Sequence, residues 1–182
     1  MKLKPLFNLA VTFGILFSLN SCKSSEELKL PFTDEEYLSD KDNFRSKQTG
    51  KSPDLATAKK IALQNAKSEI AGNIQSTIKR VTDQYTNQRT VGNKVEFENK
   101  FEEQTRDVVL QTLTDIKIIG EKAIKETDDT YTYWIVIEVS KSSVLEGINN
   151  KISKVENLKL DYDKKKFEET FNKEMEKLES EK

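Results

Sequence analysis

The stretch Leu19-Asn20-Ser21-Cys22 contains the residue whose chemistry is indicated most sharply by its neighbours. Cys22 is the only cysteine in the chain. A small residue precedes it and Leu19 lies three positions before it, as in the lipobox of bacterial lipoproteins. In that motif the thiol receives a diacylglycerol, and the amino group freed by cleavage can receive an N-acyl chain such as palmitate. We therefore predict that Cys22 is a lipidation site.

Residues 1–21 have the layout of a signal peptide that is removed on export. Lys2 and Lys4 form a basic start, and an apolar run extends from Leu6 to Leu19. The run is shorter than the ~20 apolar residues that a transmembrane helix needs, although a plain N-terminal anchor helix is the alternative. Two acyl chains hold a protein stably on a membrane, whereas a single chain does so only marginally.

The residues after the cysteine predict where the lipid anchor is placed. Position 23 is Lys rather than Asp, so the usual inner-membrane retention signal is missing. Residues 24–27 are Ser-Ser-Glu-Glu, which resemble the acidic export tags of surface lipoproteins or form an ordinary solvated linker. We expect a protein of the outer membrane that faces either the periplasm or the cell surface.

The remaining residue types argue against catalysis. The chain has no histidine, the commonest general base and metal ligand, and a lipidated Cys22 would leave no thiol nucleophile. The acids lie at predicted caps, turns and exposed helix faces, and none has the spacing of a calcium loop. The formal net charge of −1 does not favour nucleic acid. We predict no enzyme activity, no metal and no cofactor apart from the lipid, with a carboxylate-based hydrolase as a less favoured alternative.

Gly50-Lys51-Ser52 is the one stretch that resembles a phosphate-binding loop, because it follows a predicted strand and opens a predicted helix. The P-loop requires a glycine five residues before Gly50, and Arg45 stands there. Ser52 is explained as the N-cap of the helix that begins at Pro53. We therefore reject the nucleotide-binding interpretation.

A long amphipathic helix is predicted over Pro53 to Val81. Its small side chains Ala58, Ala62 and Ala66 recur at four-residue steps, which allows a neighbouring element to approach the helix axis closely. The wider apolar stripe recurs at three- and four-residue steps and comprises Leu55, Ala58, Ala62, Ala66, Ile70, Ile74, Ile78 and Val81. We expect this helix to pack on a sheet.

The sheet is predicted from three segments. Residues 43–49 form a first strand, and residues 116–125 and 131–139 form an antiparallel hairpin around the turn at 127–130. Between the long helix and the hairpin we predict a loop over 82–94. A second helix follows, carrying Phe97, Phe101, Val108 and Leu113, although Val95-Glu96-Phe97 could instead open a strand.

Three further helix starts are indicated by capping patterns. Thr33 and Glu36 form a capping box for a short helix, with Phe32 and Tyr37 at the hydrophobic staple positions. Ser143 with Glu146 starts another helix. After a break near Leu158, Asp161 or Asp163 caps the last helix.

Six apolar or aromatic residues are candidate partner-binding residues. Trp134 and Tyr133 either mark a ligand groove or cover a helix or a partner. The last helix carries a narrow stripe that either docks on its own domain or pairs with another chain in a two-stranded coil. That stripe comprises Phe167, Phe171, Met175 and Leu178.

The order of these features resembles one known family. A lipobox cysteine, a weak strand ending at Gly50, a helix with the alanine row and a hairpin ending in Tyr131-Thr132-Tyr133-Trp134 resemble the LPP-twenty family of small outer-membrane lipoproteins. The resemblance extends roughly from Asn43 to Val139. It implies an α+β domain with a structural or assembly role in the envelope, and it implies no catalytic residues.

The predicted fold class is α+β, with the long alanine-rich helix packed on a small antiparallel sheet and a C-terminal helical extension. The predicted organisation has four parts: signal peptide 1–21, lipidated tether with a short helix 22–42, α+β domain 43–140 and helical extension 141–182. The function predicted is that of a lipid-anchored, non-catalytic envelope protein that binds a protein partner or itself. A small-molecule- or glycan-binding surface lipoprotein is the alternative.

Overall fold

The computed structural model of this protein describes residues 29–88 and 92–180. The predicted signal peptide, the predicted lipidation site Cys22 and residues 23–28 lie outside the described residues. Within the described ranges no helix combines the length and the apolar content needed to cross a membrane.

The described chain forms an α+β fold, as the sequence predicts. After a single 3-10 turn, η1, the strands and helices follow one another without long connections. Their bounds are η1 Glu35–Tyr37, β1 Asn43–Ser52, α1 Leu55–Asn87, α2 Lys94–Thr112, β2 Lys117–Lys125, β3 Tyr131–Ser140, α3 Lys141–Ile152, α4 Glu156–Lys159 and α5 Lys164–Ser180.

The sheet has three antiparallel strands in the order β1-β3-β2. β2 and β3 form the predicted hairpin, which is thus confirmed. At its turn the Glu126 N–H donates to the Thr130 carbonyl over 2.8 Å, and Asp129 adopts a left-handed φ of 59°. β1 pairs with the other side of β3, so β3 is the central strand. A register shift between Ile118 and Gly120 interrupts the β2 ladder.

The alanine row of α1 packs directly against β1, which confirms the predicted close approach. Ala58, Ala62 and Ala66 are fully buried. A Cβ placed on Gly50 would lie 2.3 Å from the Ala58 carbonyl oxygen and 2.5 Å from the Ala62 backbone nitrogen. Only glycine fits at this position, because the helix backbone itself touches the strand.

α1 differs from its predicted bounds at both ends. Ser52 is the last residue of β1 and not the N-cap of α1. The N-cap is Asp54, whose carboxylate accepts a hydrogen bond from the Thr57 N–H over 2.7 Å. The predicted loop at 82–94 is wrong for its first part, which is helical to Asn87. The polar residues there are tolerated because Thr82 donates to the Ile78 carbonyl and Tyr85 is fully buried.

The second helix is confirmed as α2, and the alternative strand at 95–97 is wrong. The side chain of Asn93 accepts the Glu96 N–H over 3.2 Å and caps the helix. α2 buries Phe97, Phe101 and Val108, as the predicted stripe requires, while Leu113 is partly buried at its C-cap.

Two helices have N-caps that differ from the predicted ones. α3 begins at Lys141, with Ser140 rather than Ser143 as its N-cap, because β3 leads straight into the helix and the Lys141 N–H bonds the Asp42 carbonyl. η1 begins after Asp34 rather than Thr33, with no side-chain cap. For the last helix the Asp163 alternative is confirmed, since its carboxylate accepts the Lys166 N–H over 3.0 Å.

One hydrophobic core joins the sheet to all the longer helices. Its aromatic part lies between α1, α2 and α5, where ring centroids are 5.1 to 6.2 Å apart. The rings belong to Tyr85, Phe97, Phe101, Tyr162 and Phe167. The Tyr85 hydroxyl donates to the Asp161 carbonyl over 2.9 Å and accepts the Asp163 N–H over 2.8 Å, which holds the α4–α5 connection against α1.

Candidate functional site

The face of the sheet opposite α1, here called the outer face, is the surface that carries the best candidate site. Side chains alternate between the two faces of each strand, and α1 packs on the face that holds Gly50, Ile135 and Ile137. The residues of the outer face are Arg45, Lys47, Thr49, Lys51, Lys117, Gly120, Lys122, Ile124, Thr132, Trp134, Val136 and Glu138.

The N-terminal end of the described chain is fixed on the outer face. A Cβ placed on Gly120 would lie 2.8 to 3.2 Å from three ring atoms of Phe32. The Phe32 carbonyl accepts a hydrogen bond from Lys47 Nζ over 3.1 Å, and its ring contacts that of Tyr37 edge-on with centroids 4.9 Å apart. This contact between residues 32 and 37 is the predicted staple pair. Val136, directly opposite Gly120 in the register, is fully buried.

Beside Phe32, an ion-pair network closes one end of the outer face. Arg45 is 11% exposed and contacts Asp40 at 2.6 Å and Glu138 at 2.7 Å. Lys117 lies 3.5 Å from Glu138 on the other side. Burial alone would raise the pKa of Asp40, but hydrogen bonds from the Asp42 and Asn43 N–H groups and from Arg45 outweigh it and lower the pKa. The network is therefore charged and satisfied.

The other end of the outer face carries Trp134. This side chain is half-buried and lies between Thr49 and Lys122 in the register. Within the described residues neither Lys47 nor Lys122 has a carboxylate within 4 Å. The three strands place five basic residues and one acid, Glu138, on this face. An aromatic ring near ammonium groups that have no carboxylate partner can bind an anionic surface.

Trp134 and Tyr133 do not line one groove, because consecutive residues of β3 point to opposite faces. Tyr133 lies on the α1 side, where Lys59 Nζ is 5.5 Å from its ring centroid and also contacts Glu121 at 2.6 Å. Tyr133 is thus a packing residue at the rim of the helix–sheet interface. Trp134 alone remains a candidate for contact with a ligand or a partner.

The stripe of α5 is docked on its own domain. Phe167, Phe171 and Met175 are buried, and Leu178 is partly buried against the same core. Even Glu174 is buried, where it accepts a hydrogen bond from Gln84 over 2.7 Å and lies 3.4 Å from Arg80. A two-stranded coil through this stripe would require α5 to leave the core.

A cleft between α1 and α2 is a feature that the sequence interpretation missed. Its volume is about 360 Å³, within the range of small-ligand sites. Two of its acids have side-chain partners. Glu98 accepts a hydrogen bond from the Thr86 hydroxyl, and Glu102 forms an ion pair with Arg106. Gly72 lies in the middle of α1 on the wall of this cleft, with open space where a Cβ would be. A glycine inside an otherwise strong helix pattern was the available signal.

Two kinds of chemistry receive no support from the geometry. Gly50-Lys51-Ser52 lies within β1, where Gly50 is closed against α1 and Lys51 pairs with Asp128 at 3.0 Å, so these residues form no phosphate-binding loop. Across residues 29–88 and 92–180 no group of three or more acidic, histidine or cysteine side chains is placed to hold a metal ion.

Comparisons of the chain with protein-family models, with curated proteins and with solved structures find no match.

Proposed function

We propose that this chain is a lipid-anchored, non-catalytic lipoprotein of the bacterial outer membrane that acts by binding or scaffolding another envelope component. The observation that carries the proposal is the lipobox Leu19-Asn20-Ser21-Cys22 behind a basic and apolar leader. The resemblance of residues 43–139 to the LPP-twenty lipoproteins supports the same function.

The chemistry of the chain supports a role without catalysis. It has no histidine to act as a general base. Acids with resolved partners in the described chain serve as caps, as Asp54 and Asp163 do, in ion pairs, as Glu138 does, or as acceptors of neutral side chains, as Glu69 does. The remaining chemistry-bearing residue is Cys22, whose role in this proposal is attachment.

The decisive variant is Cys22→Ala. We expect it to abolish labelling by acyl-chain precursors and to release the protein from the membrane fraction, because both acyl chains depend on this residue. Ser24→Ala is the matched control, since it lies next to the lipobox and leaves the cysteine intact. Labelling and fractionation of whole cells measure both effects.

Retention of an uncleaved Cys22→Ala precursor in the membrane would favour the anchor-helix alternative and contradict the lipoprotein proposal. Protease shaving of intact cells, followed by crosslinking of the protein in the envelope, identifies the membrane face and the partner. If no envelope component crosslinks to the wild-type protein above the level of a lipidated unrelated domain, the scaffolding role is wrong.

The cleft between α1 and α2 favours a second candidate function, which is binding of a small molecule or glycan. Titration with oligosaccharide fragments of the cell envelope, followed by amide chemical shifts, would place shifts at the cleft residues Gly72, Ser76 and Asn99. Gly72→Leu fills the cleft and should remove these shifts. Shifts that persist in this variant, or that occur elsewhere, would contradict the assignment.

A further inference from the structure

The chain reaches the fold from the side of the outer face. Phe32 is packed over Gly120 and is held by Lys47, so the described chain begins beside this face. Lys29 follows Cys22 by seven residues. Such a segment spans at most about 25 Å when fully extended. If Cys22 is acylated as proposed above, the outer face is the part of the sheet held nearest the bilayer.

We infer that the outer face around Trp134 docks on the anionic headgroup surface of the membrane that holds the lipid anchor. This inference rests on the proposed lipidation of Cys22, and it deepens that proposal by assigning the domain an orientation. The occupant is a lipid surface, because the covalent anchor already places one beside this face and its charge is complementary.

Charge supports this occupant. The outer face carries five basic residues, of which three are paired with Asp40, Glu138 or Asp128. The excess positive charge therefore lies on the other two, Lys47 and Lys122. Lys122 lies opposite Trp134 in the register, and Lys47 lies opposite Val136, diagonal to Trp134. Neither lysine has a carboxylate partner among the described residues. Juxtamembrane lysines are attracted to anionic leaflets. By contrast, α2 exposes four acids and two cations, which makes it a poor surface for the same membrane.

The apolar residues are also placed for contact with an interface. Tryptophan is enriched where a membrane meets water, because its ring is apolar and its N–H is polar. Leu30, two residues before Phe32, is 48% exposed. Ile124 lies half-buried on the outer face, diagonal to Trp134. Asp34, Glu35 and Glu36 follow Phe32 closely in the chain and would be repelled by anionic headgroups, so the proposed contact is centred on Trp134 rather than on η1.

Trp134 is the only tryptophan of the chain, which makes it the reporter for the test. The mature protein, acylated on Cys22, is reconstituted into phosphatidylcholine vesicles with and without phosphatidylglycerol, some of them containing brominated acyl chains. We expect Trp134 emission to shift to shorter wavelength, to be quenched by the brominated lipid and to be protected from acrylamide when phosphatidylglycerol is present.

The variant Lys47→Glu/Lys122→Glu should remain on the vesicles through its acyl chains but populate the docked state at least about thirtyfold less, because two attractive charges near the surface are lost and two repulsive charges are added. Lys165→Glu/Lys173→Glu is the matched control, since these lysines are exposed on α5 and have no resolved ion pair. It should behave as the wild type.

Three results would overturn the inference. In the first, the protein is acylated and vesicle-bound, but Trp134 remains accessible to acrylamide. This result would support the lipid anchor and refute the docking of the outer face. In the second, protection is equal in neutral vesicles or appears only when another envelope protein is added. In the third, no acyl chain is present on Cys22, which refutes the proposed function and removes the basis of the docking with it.

Discussion

At the scale of single residues, two glycines that border α1 lie in opposite surroundings. Gly50 of β1 touches the backbone of α1, so it has no room for a methyl group. Gly72 of α1 has no atom within 4 Å of the position where a Cβ would be. Substitution by alanine should therefore change the stability of the protein in opposite directions at the two positions. At Gly50 the added methyl group has no room, whereas at Gly72 alanine has the higher helix propensity.

We expect Gly50→Ala to destabilise the protein by about 3 kcal/mol, because the added Cβ would force β1 away from α1. Gly72→Ala is the matched substitution and should stabilise the protein by about 1 kcal/mol through its helix propensity. Denaturant unfolding measures both. A Gly50→Ala variant as stable as the wild type would mean that the strand and helix are farther apart than described.

A second residue-scale prediction concerns the hairpin turn. Hydrogen bonds from Thr130 and Lys51 lower the pKa of Asp128 from 3.8 to about 2. A carboxyl with a depressed folded-state pKa contributes stability that is complete above its unfolded pKa of 3.8 and disappears as the pH falls through about 2. Asp128→Asn should therefore lower the Tm at neutral pH, and its difference from the wild type should vanish near the lower pKa.

Thermal unfolding as a function of pH measures this difference. Glu103→Gln, on the exposed side of α2, is the control and should have the Tm of the wild type at neutral pH. A deficit of Asp128→Asn that stays constant down to the lowest pH would show that the ionised carboxylate is not its source.

At the scale of elements, α5 is part of the core rather than an appendage. Its apolar stripe contacts the aromatic cluster, and its buried Glu174 is bound by α1. Lys173 and Glu176, on the other side of the helix, are exposed. Removal of residues 164–182 would thus damage the fold as well as any binding surface, and substitutions on the exposed side are the better probe of a partner.

We expect Phe167→Ala to destabilise the protein by about 3–5 kcal/mol, because it empties a fully buried ring site between Tyr85, Phe101 and Tyr162. Lys173→Ala on the exposed side should change stability by less than about 0.5 kcal/mol. Denaturant unfolding distinguishes the two. Near-native stability of Phe167→Ala would indicate that α5 is only loosely docked and free to pair with another chain.

At the scale of the whole molecule, α1 ties the sheet to the helices. One side of it packs on β1 through the alanine row, and its last turn contacts α2 and α5 through Tyr85. Because a single core joins these parts, the sheet and the helices should lose their structure together.

This cooperativity can be measured with the single tryptophan. Trp134 fluorescence reports on the sheet, and far-ultraviolet circular dichroism reports mainly on the helices. The two denaturant transitions should coincide in midpoint and slope. An earlier transition in circular dichroism would mean that α3 and α5 unfold while the sheet remains, in line with a separate helical extension over 141–182.

By itself the sequence determined the features that depend on local patterns. Apolar residues at three- and four-residue steps predict the long helix α1, and alternating residues from Tyr131 to Val139 predict a strand of the hairpin. Both patterns arise because an element buried on one face has apolar residues at a regular spacing. The turn at Asp128-Asp129 and the cap Asp163 depend on side chains that bond their own backbone. The expectation for Cys22 also comes from sequence alone.

Only the tertiary structure decided the features that depend on residues far apart in the chain. The helical state of Thr82 to Asn87 follows from the burial of Tyr85 against α2 and α5, which no local pattern reveals. The cap of α3 moved to Ser140 because β3 continues into that helix. Phe32 lies over Gly120 because a bulky ring needs a site without a Cβ, and that contact puts the start of the described chain on the same face of the sheet as Trp134.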